Sequence, residues 1–318
     1  MSLTFHEATA RKLTESERRV VVTGAGGWLG RATLEMLEGA LGETFDVRVV
    51  AIAAQPRTVK LRSGRAVHLI DFKSAQALPE APTLLAHYAF LTRDKVAASS
   101  LSDYAAANRL ITTQAIELAD RLKVDGVFVV SSGAVYERGR SLASSLESNP
   151  YGFLKLEEEE AFTKFAQAKR CRLSLCRLFN LSGPFIHKEF VLNSILLSIL
   201  ERRDIELRAT HEVIRDFIHV RDLVSLGFAM MLDPDQRRLT SFDSGIGQPI
   251  EIGALAQRAI DLLDARESAI LREKLSGQPN VYVGETQDMT QLCASYGLAV
   301  AGLDEQILDT AQYLKTLL

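Results

Sequence analysis

Residues 19–37, RVVVTGAGGWLGRATLEML, are the stretch that decides the fold. The first five residues form a β-branched run that predicts a buried strand, and the leucines after the glycines recur at helical spacing. Gly24, Gly27 and Gly30 stand between the two elements. Glycine is needed where φ is positive and where backbone must approach a pyrophosphate closely, and a helix N-terminus offers unpaired N–H groups to that anion. Strand, turn and helix together predict a dinucleotide-binding turn.

Short apolar runs alternate with helical patterns beyond this turn. The predicted strands are 47–54, 66–70, 83–89, 126–131 and 173–178, and the predicted long helices are 104–123 and 151–169. Strands that alternate with helices favour a parallel sheet covered on both faces, and right-handed crossovers make that sheet doubly wound. We therefore expect an α/β protein with a Rossmann-type sheet and a smaller C-terminal α/β lobe.

The regularity changes after Asn180, where Gly183 and Pro184 mark a break. Three helices are predicted beyond it, at 190–201, 252–264 and 303–317. The expected division is an N-terminal extension at 1–18, frayed or partly helical; a dinucleotide-binding domain at 19–178 plus about 216–243; and a substrate-binding lobe at about 179–215 plus 244–318.

Composition excludes several classes of protein. With 47% hydrophobic residues, the chain is an ordinary globular one. With 37 Lys+Arg against 40 Asp+Glu, it is not built to bind nucleic acid by bulk phosphate neutralisation. Cys171, Cys176 and Cys293 are too few for a disulfide framework and lack a His-rich run, so we expect free thiols and no metal site. No apolar stretch reaches 18 residues and no signal core opens the chain, so the expected location is the cytoplasm, without membrane contact.

Two further motifs carry candidate chemistry. Tyr151 and Lys155 stand four residues apart on a predicted helix and share a face. A tyrosine with a pKa of ~10 is a poor acid–base group at neutral pH, and a nearby ammonium group lowers that pKa. Ser132 stands at the carboxyl end of a strand, where ligands bind in this architecture. Taken singly, such a pair is usually surface decoration and such a serine is usually a cap.

Taken together, the motifs resemble those of the extended short-chain dehydrogenase/reductase superfamily, in its nucleotide-sugar branch. The matching pattern is Thr23-Gly24-x-x-Gly27-x-x-Gly30, Asn108, Ser132, Tyr151-x-x-x-Lys155, then Arg177 to Asn180, Gly183-Pro184, Arg215 to Asp222, and 242–249. The resemblance spans roughly residues 19 to 317.

The resemblance implies a role for each catalytic candidate. Tyr151 would be the general acid–base, and Lys155 would hold the nicotinamide ribose and lower the tyrosine pKa. Ser132 would orient the sugar oxygen. Asn108 would lie on the helix that supports the lysine, through a water or backbone link.

The resemblance also implies binding residues and partners. The cofactor NAD(P) would contact Gly24, Gly27, Trp28, Leu29, Gly30, Arg57, Asp71, Phe72, His87, Ala89, Asn108, Tyr151 and Lys155, with Asp71 near the adenine. The nucleotide-sugar substrate would contact Ser132, Asn180 and Arg215, the last two at its diphosphate. A homodimer would form through the helices at 104–123 and 151–169.

Two departures from the family pattern sharpen this interpretation. The second predicted strand ends in Ala53-Ala54-Gln55-Pro56-Arg57, without the acidic residue that binds the ribose diol of NAD. Since Arg57 could pair with a 2′-phosphate, NADP(H) is favoured over NAD. Gly133 and Ala134 stand where the 4,6-dehydratases carry an acidic pair, which argues against dehydration.

The expected activity is therefore hydride transfer at a sugar ring carbon, C4 first, as a 4-ketoreductase or a 4-epimerase. A reductase of a non-sugar ketone is the first alternative, although it gives Arg215 and Asn180 no phosphate to bind. A non-catalytic cofactor-sensing protein is the second, although both Tyr151 and Lys155 are present. The run Glu157 to Glu160 is interpreted as a solvated helix face.

Overall fold

The computed structural model describes residues 3–98, 100–137, 140–235 and 239–318. The helices are α1 Glu7–Glu15, α2 Trp28–Leu41, α3 Phe45–Arg48, α4 Phe72–Ala75, α5 Leu101–Arg121, α6 Pro150–Lys169, α7 Val191–Leu200, α8 Val220–Leu232, α9 Ile252–Leu262, α10 Gln287–Ser295 and α11 Leu303–Lys315. The strands are β1 Arg19–Thr23, β2 Val49–Ile52, β3 Arg57–Lys60, β4 Ala66–Ile70, β5 Thr83–His87, β6 Gly126–Ser132, β7 Arg172–Leu178, β8 Asn180–Ser182, β9 Ile205–Leu207, β10 Val213–Arg215, β11 Phe217–His219, β12 Leu239–Asp243, β13 Ile250–Glu251, β14 Ile270–Arg272 and β15 Asn280–Tyr282. Across these described ranges, no helix combines the length and apolar character needed to cross a membrane.

The largest sheet has eight strands in the order β12-β7-β6-β5-β1-β2-β4-β3. Neighbouring strands are parallel except β3 and β4, which are antiparallel. The strand order reverses between β1 and β5, and ligands of open α/β sheets bind at such a switch point, beyond the carboxyl ends of the strands. The predicted doubly wound α/β fold class is confirmed.

Side-chain alternation in β1 explains why both faces of the sheet are covered. Val20 and Val22 enter a core shared with α2 and α8, whereas Val21 enters a core shared with α5 and α6. Successive residues of a strand point to opposite faces, so an uninterrupted apolar run requires helices on both sides. The turn that follows β1 is thereby held between two packed layers.

The back of the chain builds a third core from α7, α9 and α11, with Leu196, Leu255 and Ile307 buried at its centre. Short strands connect this core to the large sheet: β8 pairs with β11, and β10 lies between β13 and β15. In the second of these small sheets, Arg215 is the register partner of Tyr282. The division of the chain into domains at about residues 179, 216 and 244 stays a prediction.

Helix α8 and strand β12 are elements that the sequence analysis does not predict. Every residue of α8 except Arg221 is buried, so the helix has no polar face and no amphipathic period. It packs against β6, α1 and α2, and β12 then adds a parallel strand beside β7. Part of the back third therefore returns to the large sheet.

The expectation for the N-terminal extension is a frayed or partly helical segment, and the structure has the partly helical form, with α1 at Glu7–Glu15. Leu13 of α1 is fully buried, and the ring of Phe5 packs edge-on against Phe228 of α8 with centroids 5.0 Å apart. His6 Nε2 lies 2.8 Å from Asp222 Oδ1. Apolar burial and a polar contact together make this segment part of the core beside α8.

Candidate active site

The glycine turn needs glycine for packing as well as for its backbone conformation. Gly24 has φ +66°, and a Cβ there would lie 2.7 Å from the carbonyl carbon of Tyr88 and 2.8 Å from the nitrogen of Ala89. A Cβ on Gly30 would lie 2.3 Å from the oxygen of Gly24. Gly27 is the N-cap of α2, so the unpaired N–H groups of that helix open onto this turn. These features fit a bound pyrophosphate.

Trp28 and Leu29 are packed against neighbouring side chains at the glycine turn, whereas Arg57 lies over the turn with no ionic partner in the part of the chain that the structure describes. Trp28 begins α2, and its ring lies 4.7 Å from that of Phe190 at the start of α7. Leu29 is buried beneath it. The guanidinium group of Arg57 lies against the turn, because a Cβ on Gly26 would be 1.9 Å from its Nη2. No carboxylate of the described residues forms an ion pair with Arg57.

Two predicted cofactor residues follow β4. The Asp71 carboxylate caps α4 by accepting the N–H of Ser74 at 2.7 Å, and this hydrogen bond lowers the pKa of Asp71. Phe72 is buried in the core shared with α5 and α6. Both residues lie at the carboxyl end of β4, two strands from the glycine turn. The structure gives neither of them a direct contact with the catalytic candidates.

A buried polar chain joins the glycine turn to the predicted Tyr–Lys helix. Thr23 Oγ1 lies 2.7 Å from His87 Nδ1, and His87 Nε2 lies 3.2 Å from Glu158 Oε1. Lys155 Nζ donates to Glu158 Oε2 at 2.8 Å and to the carbonyl oxygen of Val130 at 3.0 Å. The side chains of all four linked residues are buried. The sequence analysis names His87 and Lys155 as cofactor residues but does not predict this link.

Asn108 supports Lys155 through its neighbours. Its Oδ1 accepts the N–H of Leu91 at 2.8 Å, which fixes the segment that follows β5. The adjacent ring of Phe90 has its centroid 3.9 Å from Lys155 Nζ and packs edge-on against Tyr151 at 5.7 Å. A cation over an aromatic face is stabilised by the ring quadrupole. The expected support for the lysine therefore runs through the Leu91 backbone and the Phe90 ring.

The Tyr151 hydroxyl faces Ser132, and burial raises the pKa of Tyr151 to about 12. The Ser132 hydroxyl lowers this pKa, whereas the Glu158 carboxylate raises it further. The expected lowering by Lys155 is not found in the protein itself, since the ammonium group is already paired with Glu158. Ser132 also accepts the N–H of Ala134 at 3.1 Å, so its hydroxyl is fixed at the end of β6.

Tyr282 is a site residue that the sequence analysis misses. Its Oη lies 3.4 Å from Ser132 Oγ, and burial raises the pKa of Tyr282 to about 12. Its ring packs against that of Phe179 with centroids 4.7 Å apart. Tyr282 belongs to a three-residue strand, which is too short to show a period in the sequence. Only the pairing of β15 with β10 brings it to the site.

Arg215 and Asn180 lie beside Tyr282. Arg215 Nη1 donates to the carbonyl oxygens of Ile214 at 2.8 Å and Asn280 at 3.0 Å, and its guanidinium carbon is 5.8 Å from the Tyr282 ring centroid. Asn180 Nδ2 donates to the carbonyl oxygen of Tyr282 at 3.3 Å. Within the described ranges, no carboxylate pairs with Arg215. The substrate candidates are thus brought to Ser132 through Tyr282.

The burial of Glu157 to Glu160 differs from the prediction that this run is a solvated helix face. Glu158 and Glu159 are buried, and only the outer two of the four face solvent to any extent. Glu159 pairs with Arg177 at 2.7 Å, whose Nη1 donates to Tyr136 Oη at 2.6 Å. Two of the four glutamates therefore lie on the inner face of α6, and the interpretation as a solvated face is wrong for them.

The sequence matches a protein-family model described as Epimerase, the NAD dependent epimerase/dehydratase family, over residues 20–242. The chain belongs to this family. The match runs from β1 to β12 and so includes the glycine turn, Ser132, Tyr151 and Lys155. The resemblance inferred from the sequence is confirmed at this level. A search of curated proteins finds no match.

Solved structures agree on the fold. A UDP-N-acetylglucosamine 4-epimerase from Methanobrevibacter ruminantium M1, in complex with UDP-N-acetylmuramic acid, superposes with a TM-score of 0.75 at 16% identity, covering 95% of this chain and 100% of that one. MoeE5, in complex with UDP-glucose and NAD, gives 0.71 at 21% identity, covering 94% and 99%. TunA, an NAD dependent NDP-hexosamine 5,6-dehydratase of tunicamycin biosynthesis, gives 0.71 at 18%, covering 94% and 98%. One of these neighbours is a dehydratase, so the comparisons do not support excluding dehydration.

Proposed function

We propose that the protein is an NAD(P)-dependent nucleotide-sugar oxidoreductase that acts at a sugar ring carbon, C4 first, as a 4-ketoreductase or a 4-epimerase. The observation that carries the proposal is the convergence of Tyr151 and Lys155 with Ser132, opposite the unneutralised guanidinium group of Arg215. The first group of residues suits proton transfer at a carbonyl or hydroxyl oxygen, and the arginine suits a diphosphate.

The bound nicotinamide supplies or accepts the hydride. Tyr151 moves the proton on the sugar oxygen, and its raised pKa keeps it a proton donor at neutral pH. The Ser132 hydroxyl faces Tyr151 and its Oγ lies 3.4 Å from Tyr282 Oη, so it orients the oxygen that reacts. Lys155 would hold the ribose of a bound cofactor with the ammonium proton that its two protein acceptors leave available.

The substrate side favours a nucleotide sugar over the two alternatives. Arg215 donates to backbone carbonyls and has no carboxylate partner among the described residues, so it is available to an anionic ligand. An apolar ketone would leave that charge unpaired beside Tyr282, which is costly for a partly buried group. A non-catalytic sensor would not require Tyr151, Ser132 and Lys155 to converge. The neighbours crystallised with UDP-glucose and UDP-N-acetylmuramic acid are consistent with this substrate class.

The position of Arg57 supports NADP(H) as the preferred cofactor. Its guanidinium group lies over Gly26 without a carboxylate partner among the described residues. A planar, doubly donating guanidinium suits a ribose 2′-phosphate. The neighbour MoeE5 was solved with NAD, so the proposed preference for NADP(H) departs from that neighbour and rests on Arg57.

The segment after Ser132 argues against a 4,6-dehydratase. A Cβ on Gly133 would lie 2.6 Å from the ring of Phe179, so no acidic side chain fits there without displacing that ring. Ala134 cannot ionise. Water elimination needs an acid and a base at the sugar, and these two positions supply neither.

Location and assembly follow as further proposals. The three cysteines are free and buried, which agrees with a reducing compartment, and we place the protein in the cytoplasm.

We assign a homodimer to the outer faces of α5 and α6, where Leu110 is 57% exposed and Arg109 pairs with Glu157 across the two helices. Sedimentation velocity measures this assembly directly.

Replacement of Tyr151 by Phe tests the proposed chemistry. The variant lacks the proton that is transferred, so turnover of a nucleotide sugar should fall by roughly 10²–10⁴-fold while cofactor binding is kept. Tyr296→Phe, which loses the hydrogen bond to Asp233 outside the site, is the matched control. Unchanged turnover in Tyr151→Phe would overturn the assigned role.

The substrate class is tested by thermal shift with UDP-, dTDP-, GDP- and CDP-sugars, each with NAD(H) or NADP(H). A ligand that binds the folded state raises its stability by mass action, so the preferred pair is the one with the largest shift. No shift with any nucleotide sugar, together with reduction of an apolar ketone, would establish the first alternative.

A further inference from the structure

Glu158 is a fully buried carboxylate to which the proposed reaction gives no task. Its side chain is 0% exposed and lies on the same helix as Tyr151 and Lys155. Buried ion pairs are often no more stabilising than apolar residues of the same volume, because desolvation offsets the attraction. The pair Glu158–Lys155 is therefore poorly explained by stability, and its place beside the proton-transfer residue points to function.

The donors and acceptors around Glu158 assign its charge. Thr23 Oγ1 accepts the N–H groups of Tyr88 at 3.3 Å and Ala89 at 3.4 Å, so both acceptor sites of the hydroxyl are used. The Thr23 hydroxyl must then donate to His87 Nδ1, which leaves the His87 proton on Nε2, directed at Glu158. His87 is thus neutral.

Glu158 and Lys155 therefore form an ion pair without net charge. Burial raises the pKa of Glu158, but the Lys155 ammonium group and the His87 hydrogen bond outweigh it and leave this pKa below its usual value. Glu158 is therefore ionised, and Lys155 is the only cation that it contacts among the described residues. The positive charge of the lysine is cancelled 2.8 Å from its source.

We propose that Glu158 is a positioning residue of this site: it holds the ammonium group of Lys155 at the end of β6 and cancels its charge beside Tyr151. The inference rests on the proposed function, in which Tyr151 transfers the proton. With the charge of Lys155 cancelled, Tyr151 is a phenol rather than a phenolate before the reaction. A phenol suits proton donation to a keto sugar and favours the ketoreductase over the epimerase.

The titratable groups that face Tyr151 come from three elements. Lys155 and Glu158 lie on its own helix, Tyr104 lies on α5, and Tyr282 lies on β15. Both of these other tyrosines are uncharged at neutral pH, since burial raises the pKa of each to about 12. Glu158 is the one negative charge in this set, so its removal acts on Tyr151 without a second anion to compensate.

Glu158→Gln keeps the size of the side chain and removes the charge. The readout is tyrosinate absorbance of the cofactor-free protein during a pH titration, taken as the difference between each protein and its Tyr151→Phe counterpart. We expect ionisation of Tyr151 about one pH unit lower in Glu158→Gln than in the wild type, a tenfold change in its ionisation constant. Glu157→Gln removes a half-buried charge from the preceding residue and should leave the titration unchanged.

Two further measurements separate charge from position. Glu158→Asp keeps the charge but shortens the reach to Lys155, so Tyr151 should titrate as in the wild type while the cofactor dissociation constant rises several-fold. In Glu158→Gln, the rate of ketone reduction should fall with rising pH about one unit earlier, because the acid must be protonated. Circular dichroism establishes that each variant is folded. If Glu158→Gln does not fold, Glu158→Asp still tests the role through the cofactor dissociation constant.

An unchanged Tyr151 titration in folded Glu158→Gln, or an unchanged cofactor dissociation constant in Glu158→Asp, would overturn this role for Glu158. The proposed function fails separately, through unchanged turnover in Tyr151→Phe. Because the tyrosine titration needs neither substrate nor cofactor, the two failures are distinguishable.

Discussion

The two sides of the site are built in opposite ways. On the cofactor side, Lys155 and Arg177 each pair with a glutamate of α6, and the linked side chains lie in or beside the packed sheet. On the substrate side, Arg215 contacts backbone carbonyls and the Tyr282 ring, has no carboxylate partner among the described residues, and lies on a strand of three residues. A region that keeps its ligand in one fixed geometry can neutralise its charges internally. A region that must grip an exchangeable anion keeps a charge available for it.

The comparison implies different costs for substitutions. In the buried part of the cofactor side, around Lys155 and the glycine turn, a change should disturb packing and binding together, because the same atoms serve both; Arg57, which lies over the turn without a carboxylate partner among the described residues, is the exception. On the substrate side, a change should weaken ligand binding and leave the fold intact. The following predictions are ordered from the largest expected effect to the smallest.

Gly30→Ala should have the largest effect. Its Cβ would lie 2.3 Å from the oxygen of Gly24, so the glycine turn must shift. We expect a loss of about 1–3 kcal/mol in the free energy of unfolding, together with loss of cofactor binding. Urea unfolding and calorimetric titration with NAD(P)H measure the two effects. Gly302→Ala, whose Cβ meets nothing within 4 Å, is the control. Weaker cofactor binding without a loss of stability would contradict the claim that packing and binding are coupled at the glycine turn.

Arg215→Ala should act on the substrate alone. Loss of a charged hydrogen bond to a phosphate costs about 1.5–3 kcal/mol, which corresponds to a roughly 10- to 100-fold rise in KM for the nucleotide sugar. The unfolding midpoint and the cofactor affinity should stay as in the wild type. Arg208→Ala removes an arginine of the same region that is 89% exposed, and it should change nothing. A KM that does not respond to Arg215→Ala would favour a non-sugar ketone.

Arg57→Ala should give the smallest effect, which is a change in the preference for NADPH over NADH. Removing the guanidinium group takes away the partner of a 2′-phosphate, so the NADPH-to-NADH ratio of binding constants should fall by about tenfold. NADH binding itself should hardly change. Lys60→Ala, on the same exposed edge strand, controls for a general loss of positive charge. Parallel loss of both cofactors would place Arg57 at the pyrophosphate instead.

The same contrast decides what could be predicted from the sequence. β1, β5 and β6 are apolar runs bounded by recognisable turns, and glycine spacing marks the cofactor turn, so the large sheet is foreseen. Helix α8 is missed because its polar residues Asp222 and Ser225 are buried along with its apolar ones, so it shows no solvent-facing polar side. Part of the second predicted strand instead forms α3, where Val47 is exposed.

On the substrate side, tertiary contacts rather than local patterns place the residues. Tyr282 is missed because nothing in its local sequence distinguishes it, and only strand pairing brings it to Ser132.

On the cofactor side, the burial of Glu158 is wrongly predicted because the residue stands in a run of charges, although its spacing from Lys155 and Phe162 puts it on the inner face of α6. Helical spacing relative to known inner residues is therefore a better guide to burial than charge density.

Trp28 gives the protein a built-in optical probe. It is the only tryptophan of the chain, so all indole emission originates where the glycine turn meets α7. Reduced nicotinamide absorbs light in the range in which indole emits, and a cofactor on this turn would quench Trp28 by energy transfer. The ring of Phe190, tilted against Trp28, belongs to the substrate side, so any movement of α7 would alter the same signal. Stopped-flow fluorescence of the unlabelled protein could then time cofactor arrival and closure over the sugar as separate phases.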